Sequence, residues 1–82
     1  MGLKKLADKV ADYNARFERG KASKIKPSHV ETVLAKLRTK SDELEAEIAS
    51  AESSDRKARL KKKLGVATAQ IERAEWLLSE IT

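Results

Sequence analysis

Six basic side chains take six of the eight positions from Arg56 to Lys63 in the stretch SSDRKARLKKKL: Arg56, Lys57, Arg59, Lys61, Lys62 and Lys63, interrupted only by Ala58 and Leu60. Such a run could bind phosphate by displacing its condensed counterions. It could equally be one wall of a helical hairpin whose other wall is acidic. Charge balance favours the hairpin. From Asp42 to Lys63 the six bases face Asp42, Glu43, Glu45, Glu47, Glu52 and Asp55, so this region carries no net charge. A balanced surface releases few counterions and gains little from nucleic acid.

The surplus of the chain, formally +5, lies earlier. Residues 1–27 hold eight bases and three acids, whereas residues 28–82 hold ten of each. In RFERGKASKIK, Arg16, Arg19, Lys21, Lys24 and Lys26 face only Glu18. A basic loop containing Gly and Ser, beside an aromatic, is a candidate contact for an anionic partner, nucleic acid included. The competing reading is a solvated interhelical connection kept polar by its lysines. No recognised nucleic-acid motif accompanies it.

Other reactive groups are sparse. His29 is the single histidine and there is no cysteine, so a disulfide or thiolate site is excluded and a metal would need carboxylates. Ser23, Ser28 and Ser53 have no base at a useful spacing, and no glycine-rich phosphate loop exists. The acidic pair Asp42 and Glu43 belongs to a solvated helix face. The expectation is a chain with no catalytic residue, no cofactor and no metal.

The elements that carry these residues follow from apolar periodicity. With 40% hydrophobic and 38% charged residues, three glycines and one proline, an 82-residue chain of this usage predicts one all-α domain. Leu3, Leu6, Val10, Tyr13 and Phe17 place a stripe along a first helix at about 3–19, which Gly20 stops. A basic loop follows at 20–27. Ser28 with Glu31 three positions on reads as a capping box opening a second helix near Pro27 or Ser28, at about 28–52. Its seam, Val30, Leu34, Leu37, Ser41, Leu44, Ile48 and Ala51, alternates spacings of four and three residues. A third helix at about 55–81 repeats the pattern with Leu60, Leu64, Ala67, Ile71, Ala74, Leu78 and Ile81.

The two seams do not run on from one another, since continuing the first would put Asp55 and Lys62 in the core. A fold-back near Ser54 instead pairs Ile48 with Leu60, Leu44 with Leu64, Ser41 with Ala67, Leu37 with Ile71, Leu34 with Ala74 and Val30 with Leu78. The same register brings Glu45 to Lys61 and Glu47 to Lys63. One feature opposes it: acids closing helix 2 and bases opening helix 3 both run against the helix dipoles. A continuous helix over 42–63 would remove that conflict but break the seam. The expected fold is therefore an antiparallel, coiled-coil-like helical hairpin with the shorter first helix packed at its open end, a three-helix bundle.

Val33 and Leu77 flank the seam, and Val66 and Trp76 extend apolar surface beyond it, so a bare hairpin would leave all four wet. Either helix 1 closes over them or they meet a partner. The expected function is a small helical protein–protein interaction module without catalytic activity, with Trp76, Val66, Val33 and Leu77 as the partner-binding or self-association residues. The alternative is an accessory nucleic-acid-binding protein using the basic loop 16–26. The opening MGLKKLADKVADYNARF lacks the apolar core of a leader, and no apolar run approaches the roughly 20 residues of a membrane span, so a cytoplasmic location is expected.

Overall fold

The computed structural model describes residues 2–82 and consists of α1 (Leu3–Glu18), α2 (Pro27–Ser50) and α3 (Ser54–Ile81), with one turn of 3-10 helix at Ala22–Lys24. It is a three-helix bundle in which α2 and α3 form a hairpin and α1 packs on both.

Local chemistry sets each boundary. Gly20 adopts a φ of 73°, the left-handed region. This lets its N–H donate to the Phe17 carbonyl at 3.0 Å and the Lys21 N–H reach back to the Arg16 carbonyl at 2.9 Å, closing the end of α1. A Cβ at Gly20 would meet nothing within 4 Å, so the requirement for glycine lies in the backbone alone. Gly20→Ala is accordingly expected to lower stability by about 1–2 kcal/mol, read as a lower midpoint in urea. An unmoved midpoint would show that this turn does not constrain the fold.

The opening of α2 differs from expectation. Lys26, not Ser28, is the N-cap residue, no side chain caps the helix, and Pro27 stands at its first position. Proline there has its φ already set and no N–H to orphan, so the helix starts at Pro27 without a capping box. The Ser28 carbonyl instead accepts the Thr32 hydroxyl at 2.9 Å.

Between α2 and α3 the chain breaks at residues 51–53, so the continuous helix is overturned. Ala51 and Ser53 are both extended, with ψ of 133° and 144°. The Ser53 hydroxyl accepts the Arg56 N–H at 3.1 Å and so caps α3. Burying Ala51 against Leu44 and Leu60 closes the tip. That apolar closure, with the cap, outweighs the opposed dipoles, which cost only tenths of a kcal/mol at exposed termini.

Each apolar pair expected from the seam falls within one core cluster. Ile48, Leu60, Leu44 and Leu64 share the tip cluster with Ala67. Leu37, Ile71, Leu34, Ala74, Val30 and Leu78 share the larger one with Leu6 and Val10 of α1. The expected ion pairs do not form: among the described residues, Glu45 and Glu47 close no contact with Lys61 or Lys63. The interhelical pair is Arg38 with Glu75 at 3.2 Å. Exposed pairs contribute only ~0–1 kcal/mol, too little to hold long lysines in one geometry, so the register rests on the seam.

Helix α1 runs beside α3 in the same direction. Leu3 packs against both clusters, near Leu44 and Val66, while Phe17 meets Trp76 at the open end. Sixteen residues span about 24 Å and the 28 of α3 about 42 Å, so α1 leaves the hairpin tip as two bare helices in a molecule 47 Å long. The connection from α1 is pinned by Ile25, which the periodicity reading passed over; it is buried in the larger cluster. No helix among the described residues is long and apolar enough to cross a membrane.

Candidate functional site

The basic run is distributed around α3. Arg56, Arg59 and Lys63 share a shallow cleft with Asp55 and Leu60, while Lys63 also borders a groove with Glu43 and Glu47. A helix turning 100° per residue cannot gather six near-consecutive side chains on one face. The opening stretch is thus one flank of the hairpin and is not a single cationic patch.

The basic loop is likewise dispersed. Arg16 points back along α1, paired with Asp12 at 2.8 Å and lying 5.9 Å from the centre of the Tyr13 ring. Arg19 follows the end of α1, Lys21 precedes the 3-10 turn and Lys24 ends it, and Lys26 is the N-cap residue of α2; all four are exposed. His29 lines a cleft with Asp8, Asp12, Tyr13 and Arg16. Among the described residues no group of three or more His, Cys, Asp and Glu is placed to hold a metal ion.

The four apolar candidates separate into two pairs. Val33 and Leu77 are 3% and 0% exposed and belong to the core beneath α1, so they are unavailable to a partner of the closed bundle. The reason is geometric: they lie on the side of the hairpin that α1 covers, beside Leu6 and Val10. Val66 and Trp76 remain 44% and 43% exposed.

Trp76 is oriented rather than loose. The Phe17 ring meets it edge-on at 5.4 Å, with planes inclined by 77°. The Arg73 guanidinium lies 5.4 Å from the ring centre. Edge-to-face and cation–π contacts of this kind each contribute about 0.5–1.5 kcal/mol. They hold the indole in place while leaving nearly half the residue accessible.

Two grooves border α1, one along α3 and one where the start of α1 meets both α2 and α3. One, of about 530 Å³, lies between Ala11 and Asn14 of α1 and Ala69, Arg73 and Trp76 of α3. The other, of about 660 Å³, is lined by Leu3, Ala7, Leu44 and Val66 with Lys40 and Glu47 at its edge. Alanines 7, 11 and 69 line these grooves, with Trp76 in the first and Val66 in the second. Periodicity did not single out these alanines because they lie outside the main stripes. The arrangement offers apolar area with polar rims. Comparison with protein-family models, curated proteins and solved structures finds no match.

Proposed function

We propose that this chain is a small helical protein-interaction module whose docking surface is the outer side of α3 and its seam with α1, centred on Trp76 and Val66. One observation carries the reading: after the bundle has closed over Val33 and Leu77, the two large apolar residues left exposed, Val66 and Trp76, both belong to α3. Ten residues separate them, about 15 Å along a helix. Exposed apolar residues scattered singly are ordinary, whereas a Trp held in place by Phe17 and Arg73 has the character of an interface anchor. The excess of positive charge on α1 and its following loop supports a second reading, contact with an anionic partner, weakened by the engagement of Arg16 with Asp12.

The test compares capture of partners from the source cells by wild type, Trp76→Ala, Val66→Lys and a triple change of Lys21, Lys24 and Lys26 to Gln. Circular dichroism checks that helicity is retained. The expected result is loss of the same captured species in the two α3 variants, with a truncated anchor costing about 2 kcal/mol or more, and retention in the lysine variant. Capture indifferent to the α3 changes but lost with the lysines would overturn the docking surface. The anionic reading would then predict oligonucleotide binding that falls by about 0.7–0.9 log units per phosphate contact for each tenfold rise in salt.

A further inference from the structure

The back of α3 carries a second stripe. Ala58, Lys62, Gly65, Ala69, Glu72 and Trp76 recur at alternating spacings of four and three residues, and all six are exposed. They lie opposite the seam of Leu60, Ala67 and Ala74, which is buried against α2. From Ala58 to Trp76 the stripe runs about 27 Å along the helix. We infer that a second copy of this chain docks on this stripe, the two α3 helices crossing antiparallel about a twofold axis near Ala67; the inference rests on the docking surface proposed above.

Self-complementarity is the argument. In that register Lys62 stands opposite Glu72 of the second copy and Glu72 opposite its Lys62, so the twofold makes the ion pair twice. Trp76 falls on Ala58 of the second copy, large on small, again twice. Gly65 meets Ala69 of the second copy, where the absence of side chains lets the helices approach closely. A parallel arrangement would oppose Lys62 with Lys62 and Glu72 with Glu72. A slip of one heptad in either direction parts both ion pairs.

Gly65 supplies an independent observation. A glycine inside a helix costs about 1 kcal/mol relative to alanine, yet a Cβ at this position would meet nothing within 4 Å of its own chain. The bundle itself has no use for the missing side chain, whereas a second helix closing on the stripe does. Val66 lies beside the axis and meets Val66 of the second copy. Arg59 and Arg73 form a like-charged pair at the exposed rim, where charges contribute little. One helix pair of this length sits at the small end of stable interfaces, so the dimer is expected to dissociate in the micromolar range.

Sedimentation equilibrium of the full chain from about 10 μM to about 1 mM spans that range. Wild type is expected to pass from one chain mass to two. Lys62→Glu and Glu72→Lys should each weaken the dimer at least tenfold, because each places like charges together twice. Combining both changes in one chain should restore association, since the pairs re-form with signs exchanged. Mixing the two single variants should also give a heterodimer. A wild type that stays monomeric throughout, a dimer indifferent to the charge changes, or single variants that the double change does not rescue would each overturn the inference. A monomeric wild type whose captured partner is still lost in Trp76→Ala would overturn the second copy alone, whereas failure of both experiments would remove the docking surface with it.

Discussion

Truncating Leu37 to alanine is expected to lower the stability of the bundle by about 2–5 kcal/mol, a large share of the 5–15 kcal/mol typical of a folded domain. Leu37 is 0% exposed and belongs to the cluster that joins Leu6 and Val10 of α1 to Val33, Leu34, Ala74 and Leu77 of the hairpin. Removing its branched end therefore opens a cavity where all three helices meet. Ile71, its expected partner across the hairpin, is half-buried in the same cluster and should cost less when truncated alone. Because the two share neighbours, the double variant should depart from additivity by about 0.5–3 kcal/mol. Urea unfolding of the four proteins measures this. Additive effects, or losses within the noise of a surface change, would remove the pairing of Leu37 with Ile71.

Enlarging Ala67 has the next largest expected effect. Ala67 is 0% exposed, and the seam sets it opposite half-buried Ser41, so the space between α2 and α3 is filled by small residues on both sides. Ala67→Leu must push the helices apart or strain the new side chain, at about 1–3 kcal/mol. In a domain of this size each kcal/mol lowers Tm by roughly 4–8 °C. Ala69, two positions on, is exposed on the back of the same helix. Ala69→Leu in dilute solution should change stability by no more than about 0.5 kcal/mol. Equal melting temperatures for the two variants would mean that α3 is rotated from the orientation described.

These contrasts show which features could be read from residue order. The seams of α2 and α3 were legible because burial in a helix pair repeats every three and four residues, and a break in that repeat marked the turn before Ser54. Gly20 was legible because a left-handed φ selects glycine. The start of α2 near Pro27 was legible, but Ser28 and Glu31 match a capping box that does not form, because Pro27 itself opens the helix. The pairing of Glu45 and Glu47 with Lys61 and Lys63 was overdrawn, since opposite charge at facing positions does not overcome the entropy of long exposed side chains.

Ile25 and the extent of α1 were harder. A single apolar residue in a polar loop has no periodicity to reveal it, yet its burial ties the basic connection to the core. Nothing in the spacing of Val33, Leu77, Val66 and Trp76 says how far α1 reaches around the hairpin. That depends on the direction α1 takes after Gly20 and Ile25 turn the chain, and it decides that Val33 and Leu77 are core while Val66 and Trp76 stay exposed.

The accessibility of Trp76 tests the account most directly, because it is the only tryptophan and its partial exposure carries the functional reading. Acrylamide quenching of its fluorescence, in solution dilute enough to hold single chains, should give a rate between those of a free and a shielded indole. Phe17→Ala should raise that rate by removing the ring that packs edge-on against it. An indole as protected as one in a closed core, unmoved by the change at Phe17, would contradict the placement of α1 and leave the back of α3 without its anchor.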